Sequence, residues 1–571
     1  MTRLLLSCAL ACAASRFAAA QDTTRLSVDS SGVEGDGSSF VATHCVGVGK
    51  STFVVFSSSA TNLVKGDTNG KTDLFLRDVV AGTTTRIVLD AKGGEPDGDS
   101  RLASITPDGR FVLFKSDATD LVSGDKNGVT DVFVLDRKSG LVERVSVDSK
   151  GNEGDAISNF GAISDDGQLV VFSSRADNLV GSDSNSTQDV FLRDLANQTT
   201  SCVSVTPSGG TGNGFSTGPV ITADGSKIAF TSLADDLVSN DSNHVGDVFL
   251  FDVASGTTTL ATLNEGGYQL NGISSAPALS ADGALLAFRS AATNLDRAAT
   301  SGLDEIYVRD LSSGKIWLAS RANDGSAADA NCSLPMLFSR ADAAGDRPQV
   351  AFSSGESNLP DADLATDIDA FVFDLRSGVV QCASVDSAGG GHDSNVISSR
   401  FGATPDGKQL VFGSFDSALV SGDGNGSEDV FLRGLQWTFF SEFGSGLAGA
   451  DGFVPHLSGT GGWCEAGIWQ LQIHDGLGAA VGHLWVGFGR TNGVKLFGGT
   501  FYVDFAQPIF PVPIQLDGFA GVSGSGDLTI DGVNVEDLGE FSIFMQVLLL
   551  DLRAPKGISM SNALELAIDA G

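Results

Sequence analysis

The chain reads as all-β: a seven-bladed β-propeller closed by its N-terminal strand, followed by a C-terminal β-sandwich. Three observations predict this. Two series of aromatic residues recur at a fixed step, each repeat holds strand-like segments in fours, and the last repeat lacks a fourth segment that stands spare near the N-terminus.

The first series is Phe56, Phe114, Phe172, Phe230 and Phe288, each 58 residues after the last; the second is Phe75, Phe133, Phe191, Phe249 and Tyr307. They continue at Phe352 and Phe412, and at Phe371 and Phe431, after steps of 64 and 60, so there are seven copies. The sixth carries a short insertion around Asn331 to Asp346.

Within a repeat, a weakly apolar segment such as Phe160-Gly161-Ala162-Ile163 predicts the first strand. An Asp-Gly pair follows (Asp108-Gly109, Asp166-Gly167, Asp224-Gly225, Asp282-Gly283, Asp406-Gly407) and signals a hairpin, because glycine accepts positive φ. The second segment is apolar throughout, as in Phe111-Val112-Leu113-Phe114, which suits a strand buried on both faces between stacked sheets. The third is Asp73-Leu74-Phe75-Leu76-Arg77-Asp78 and its copies. The fourth, Thr85 to Leu89 or Glu143 to Val147, alternates and is half exposed.

The seventh repeat stops after Asp429-Val430-Phe431-Leu432-Arg433, and Arg25-Leu26-Ser27-Val28-Asp29 has the character of a fourth strand. Pairing these two closes a ring and covers an open sheet edge.

The segment Thr106-Pro107-Asp108-Gly109-Arg110-Phe111-Val112-Leu113-Phe114, echoed from Thr404 to Phe412, resembles the WD40-like repeat of the TolB propeller family. The resemblance spans residues 25 to 435. It implies the propeller fold, and a family of translocation scaffolds, peptidase-associated propellers and exported proteins.

Residues 1–20 read as a secretory signal peptide: Arg3, an apolar run from Leu4 to Ala14, and Ala18-Ala19-Ala20 as the cleavage site. A lipoprotein cysteine, Cys8 or Cys12, would fall inside that run. The expected location is therefore secreted, periplasmic or cell-surface. Phe541 to Leu552 is too short to span a bilayer as a helix, so no transmembrane helix is expected. The 571 residues include 35 Lys+Arg against 70 Asp+Glu, a net charge of −35; without Arg3 and Arg16 the balance is 33 against 70, near −37. Such acidity argues against nucleic acid and anionic membranes as partners. Cys45, Cys202, Cys332, Cys382 and Cys464 remain, an odd number without metal-type spacing, and read as buried small side chains.

Between the second and third strands, five repeats carry Asp-x-Asn-x-x-x-Asp: Asp67, Asn69 and Asp73; Asp125, Asn127 and Asp131; Asp183, Asn185 and Asp189; Asp241, Asn243 and Asp247; Asp423, Asn425 and Asp429. Oxygen ligands at positions 1, 3 and 7 suit structural Ca²⁺. A side-chain-capped turn accounts for the same residues. The sixth copy has Asp363, Ala365 and Asp369, and the fifth keeps Asp304 at its strand start. A second acidic loop, Asp29 to Asp36 and again Asp148 to Asp155, reads as a solvated turn between repeats.

Gly214-Phe215-Ser216-Thr217-Gly218 matches the nucleophile-elbow string, but no helix follows it. The six histidines show no metal pattern, and His244 falls in an acidic loop. No catalytic residues are assigned.

After Leu435 the period ends. Alternating runs at Trp469–Ile473, His483–Phe488, Thr500–Phe505 and Phe541–Val547 predict a Gly-rich β-sandwich over residues 436–571. Its Gly444-Ser445-Gly446, Gly452-Phe453-Val454-Pro455 and Ser561-Asn562-Ala563-Leu564-Glu565-Leu566 segments resemble a C-terminal module of exported bacterial proteins. Trp463, Trp469 and Trp485 serve either as core or as a carbohydrate-stacking surface. The expected function is an exported, non-enzymatic scaffold that binds a protein or glycan. The alternative is a propeller enzyme, a polysaccharide lyase or glycosidase, acting at the axial channel.

Overall fold

A computed structural model describes residues 23–435, except 49–50, 182, 184, 296–301, 323–324, 343–344, 356–357, 360–367, 387–399 and 405. It also describes 437–443, 454, 456–460, 470–477, 481–487, 490–496, 499–503, 509–515, 523–531, 541–550 and 558–569. The signal-peptide segment, including Cys8 and Cys12, lies outside the described residues, as do Cys464, Trp463 and Trp469. The chain forms two compact units, one of them Asp22–Arg433 and the other containing Gly434–Gly571.

Every described element is a strand, turn or bend, and Asp22–Arg433 is a seven-bladed β-propeller. Each blade is a four-stranded antiparallel sheet in chain order; blade 2, for example, runs Ser100–Ile105, Phe111–Ser116, Asp131–Asp136 and Leu141–Arg144. Blade 7 is composite. Its order is Gly402–Ala403, Gln409–Ser414, Asp429–Gly434 and then Thr23–Arg25, with Thr23 opposite Arg433 and Arg25 opposite Phe431. The N-terminal closure is thus made two residues earlier than Arg25 to Asp29.

That offset repeats. The fourth strands of blades 1 and 2 are Thr83–Arg86 and Leu141–Arg144, ending where the sequence expectation placed their beginnings. The physical reason lies in the next residues. Val147 donates to the carbonyl of Val145 at 2.8 Å, a tight turn that takes Ser146 out of the ladder and puts its hydroxyl under the third strand. The insertion of the sixth copy lengthens the first hairpin of blade 6, to Cys332–Asp342 and Gly345–Ser354.

The two aromatic series turn out to be one feature. Phe56 lies opposite Phe75, Phe114 opposite Phe133, and so on in register, and all seven pairs stack at 5.6–5.9 Å. Each ring is buried, contributing about 1.5–3 kcal/mol by removal from water. The aliphatic residues beside them face neighbouring blades. Val54 and Phe56 of blade 1 pack with Val411, Val430 and Leu432 of blade 7 and with Leu26, so the closing segment is part of a core.

The Asp-Gly hairpins form as expected. Gly167 has φ 71°, and a Cβ there would sit 2.2 Å from the Phe111 ring of the preceding blade. Both conformation and packing therefore call for glycine.

Blades are also tied by backbone. In blades 1 to 6 the first residue of the inner strand donates to the carbonyl just before the third strand of the previous blade: Ser100 to Thr72, Ser158 to Thr130, Ser216 to Gln188, Ser274 to Gly246, Cys332 to Asp304, and Ser39 back to Glu428. The last of these closes the ring. Neighbouring inner strands touch one another, so they line the axis.

In the other unit, a five-stranded antiparallel sheet has the order Trp437–Phe443, Ile558–Asp569, Phe541–Leu550, Val481–Gly487, Ile509–Gln515. A three-stranded sheet, His456–Thr460, Gln470–Leu477 and Ser523–Asp531, packs on it through His456–Thr460. Leu457, Leu484, Val547, Leu549 and Met560 are buried in this unit. Among the described residues no helix is long and apolar enough to cross a membrane.

Candidate functional site

The third strand of a blade opens with a carboxylate that is wholly buried, and the acidic loop folds around it. In blade 2 the Asp131 carboxylate accepts from Ser146 Oγ at 2.5 Å, Asn127 Nδ2 at 2.9 Å and Arg144 Nη1 at 3.1 Å. The Asn127 Oδ1 accepts the Val129 N–H, the side-chain-capped turn expected of this residue type, and its second amide hydrogen goes to the Gly154 carbonyl. Asn69, Asn185, Asn243 and Asn425 repeat this pattern. Each presents nitrogen, not oxygen, to the carboxylates.

The first Asp of the loop comes close to the last, as the spacing predicted, but the middle of the cluster is filled by the chain itself. In blade 2 Arg144 Nη1 lies 2.8 Å from Glu153, 3.1 Å from Asp131 and 3.4 Å from Asp125. In blade 1 Arg86 stands 2.6 Å from Glu95, 3.1 Å from Asp73 and 3.8 Å from Asp67. In blade 7 Arg25 reaches Glu34 at 2.5 Å and both Asp423 and Asp429 at 3.5 Å. Blade 4 uses a neutral amide: Gln269 Nε2 donates to Asp241 at 2.7 Å and to Asp247 at 3.0 Å.

Blade 3 has neither. Cys202 takes the place of the arginine opposite Phe191, and among the described residues no arginine or glutamine bridges Asp183 and Asp189 and Asp183 Oδ1 is buried without a hydrogen-bond partner. In blade 5 the carboxylate is Glu305, bound by Ser320 at 2.5 Å. Asp304 points elsewhere, 3.6 Å from Arg289. Asp369 of blade 6 is bound by Ser384, while Asp363 and Ala365 lie outside the described residues.

The second acidic loop is more than a solvated turn. Its glutamates Glu34, Glu95 and Glu153 fold back on the first loop, accepting from the backbone N–H of Gly424, Thr68 and Lys126 as well as from the arginines. A signal for this was in the sequence: Arg and Glu stand nine residues apart at 25/34, 86/95 and 144/153.

Electrostatics follow burial. Asp67 is pushed up to about 6, by burial first and then by Asp73. Burial likewise raises Asp189 to about 6, and with Asp429 raises Asp423 to about 7. Glu95 is held down at about 2 by its hydrogen bonds from Thr68 and Arg86. Burial pushes the Cys202 thiol to about 12, so it is an inert, protonated packing group.

Ser216 of the elbow-like string begins the inner strand of blade 4, tied to Ser232 at 2.9 Å. His244 is exposed and pairs with Asp235 at 3.1 Å.

At the axis, one step beyond each blade-to-blade hydrogen bond, the first and second strands carry a cross-strand pair. In blades 1 to 6 this level holds three positive side chains, Arg101 opposite Lys115 and Arg289 opposite Ser275, and no carboxylate. The rest are Ser, Thr, Asn or Phe. Sequence reasoning missed this level because its residues do not repeat.

No family model and no curated protein matches this chain. Solved structures similar to it include a putative TolB from Agrobacterium tumefaciens, 16% identical, covering 62% of this chain and 94% of that one with a TM-score of 0.32. A chain from a study of two prolyl endopeptidases is 12% identical, covering 84% of this chain but 59% of its own length, with a TM-score of 0.40. The Dos1 propeller is 13% identical, covering 73% and 95%, with a TM-score of 0.34. The fold assignment rests on the strand pairing itself.

Proposed function

We propose that this protein is an exported, non-enzymatic β-propeller that serves as a binding scaffold for a protein or glycan, with the C-terminal β-module as adaptor. The observation that carries the reading is where the strongest polar motif goes. Asp, Asn, Arg, Glu and Ser side chains of the loops bind one another and the backbone, which holds the connections of one propeller face in fixed positions. A rigid scaffold presenting loops is the common arrangement for recognition. Export rests on the leader pattern of residues 1–20. A glycan array and a reducing-sugar assay on the mature chain test the reading: binding without turnover is expected, and turnover of a polysaccharide would replace it with the propeller-enzyme reading.

Structural calcium belongs to the same proposal, and blade 3 is where it fits. Arginine or glutamine holds the corresponding carboxylates in blades 1, 2, 4 and 7, whereas in blade 3 Asp189 is held by Ser204 and Asn185 and the Cys202 thiol stands near both carboxylates. Millimolar Ca²⁺ should raise the melting temperature of the mature chain, chelator should reverse this, and Asp183→Asn should abolish the response. A wild-type melt indifferent to calcium ends the idea.

A further inference from the structure

One sector of the acidic-loop end of the propeller departs from the rest. The links into blades 1, 2 and 3 each carry three carboxylates, Asp148, Glu153 and Asp155 in the last of them. The same places are Thr206, Thr211 and Asn213 in the link into blade 4, and Asn264, Gln269 and Asn271 in the link into blade 5. Where charge drops out, apolar side chains come to the surface. The residue just before the inner strand is Ser38, Asp99 and Asn331 in blades 1, 2 and 6, but Ile157, Phe215 and Ile273 in blades 3, 4 and 5. Leu233 follows the second strand of blade 4, where blades 1, 2 and 3 have Ser59, Asp117 and Arg175. Leu233 is 59% exposed, Ile273 52% and Ile157 44%.

These residues are neighbours. The Leu233 N–H donates to the Phe215 carbonyl at 2.9 Å. Leu233 and Ile273 converge on Gly246, the residue before the third strand of blade 4. A Cβ there would stand 3.0 Å from Leu233 Cδ2 and 3.7 Å from Ile273 Cγ2. The other six blades carry a side chain at that place, such as Thr130 or Gln188. Single exposed apolar residues are ordinary, whereas a contiguous set at the one neutral stretch of an acidic face is the make-up of an interface core.

The charges around the set are mostly negative. Asp177, Asp235 and Asp236, in the loops after the second strands of blades 3 and 4, are at least partly exposed. Asp177 accepts from Ser186 at 3.4 Å, Asp235 accepts the Asn213 amide at 2.7 Å and faces His244 at 3.1 Å, and Asp236 accepts the Asn213 N–H at 2.9 Å. Glu265, in the link into blade 5, accepts the Ile316 N–H at 3.1 Å. Against them stand Arg175, and Arg289, which lies 3.6 Å from Asp304.

We propose that Phe215, Leu233 and Ile273, extended by Ile157, form a docking surface for a partner protein, which inserts a segment bearing an aliphatic or aromatic side chain next to Lys or Arg. The apolar residue covers Leu233 and Ile273, and its basic neighbours meet Asp235, Asp236 and Asp177. The most exposed members are aliphatic and offer a sugar no ring face, so a protein segment fits better than a glycan. The inference rests on the scaffold reading and commits it to protein at this surface.

A phage-displayed library of random dodecapeptides, selected on the immobilised mature chain, tests this alongside Leu233→Lys, Ile273→Ser and the control Leu141→Lys, an exposed apolar position on the fourth strand of blade 2. Enriched peptides should pair an apolar residue with Lys or Arg, and their affinity by calorimetry should fall with added salt. Leu233→Lys should weaken the tightest of them about tenfold or more, Ile273→Ser less, and Leu141→Lys not at all. If Leu233→Lys melts early, Leu233→Ser takes its place. No enrichment, an acidic consensus, or equal affinity for wild type and both patch variants overturns the proposal. So does dimerisation by light scattering that Leu233→Lys abolishes, which gives the surface to a second copy, and so does glycan-array binding that Leu233→Lys abolishes. Glycans bound equally by wild type and Leu233→Lys, with no peptide enriched, keep the scaffold reading and remove this surface from it.

Discussion

Arg144 shows how much one side chain does in this fold. Its guanidinium faces three carboxylates, and Asp125 and Asp131 beside it have almost fully buried side chains. Burial raises the Asp125 pKa in spite of the arginine, so the cluster is only just compensated. Truncation to Arg144→Ala strands buried negative charge, which costs about 3–5 kcal/mol. It also leaves a hole walled by oxygens of Asp125, Asp131 and Glu153, the kind of donors a hard cation takes. Arg144→Ala should therefore melt well below wild type by calorimetry and recover part of the loss in millimolar Ca²⁺. If the variant melts at the same temperature in calcium and in chelator, carboxylates in this loop geometry do not hold the ion, and the blade 3 reading weakens with it.

The strand that closes the ring is three residues long, yet it carries four kinds of support. Its ladder covers Phe431 to Arg433, Arg25 enters the blade 7 carboxylate cluster, Ser27 bonds to Asp429, and Leu26 packs into the core shared by blades 1 and 7. A mature chain lacking residues 21–30 should lose cooperative melting or drop in melting temperature by roughly 10 °C or more. A synthetic peptide of those residues added in trans should restore it by strand addition. Unchanged melting of the truncated chain would show that closure does not depend on this segment. The existence of the element was legible, because a missing fourth strand and a spare one can be matched by counting. Its register was not. Alternation continues through Ser27 and Val28, and only the buried third-strand carboxylate reveals that these residues leave the ladder so that the hydroxyl can reach it. The cluster itself was half legible for the same reason: carboxylate spacing is a local pattern, whereas the Arg25, Arg86 and Arg144 that fill it arrive from the next strand.

For the molecule as a whole, burial of carboxylates sets the dependence of stability on pH. Asp67, Asp189, Asp423 and Glu428 all have folded pKa values raised above their ordinary ones. A raised carboxylate contributes its stability below the unfolded value and loses it as pH climbs to the folded one. The melting temperature should therefore rise as pH falls from 8 toward 5, helped by relief of the repulsion among 70 acidic side chains. Below about pH 4 the sign reverses, because Glu95, held near 2, must be protonated against its hydrogen bonds. Glu428 offers the cleanest test. It is 2% exposed, and at the equivalent place in blade 3 Gln188 donates its amide to the Ser216 carbonyl at 3.2 Å. Glu428→Gln puts that amide opposite Ser39 and removes a group whose pKa moves from 4.5 to about 8 on folding. The variant and wild type should melt alike near pH 4.5, with the variant increasingly the more stable up to pH 8 and the gap constant above it. Calorimetry across that range gives the answer: a gap that is already full at pH 4.5, or that shrinks as pH rises, would mean that Glu428 is ionised in the folded propeller.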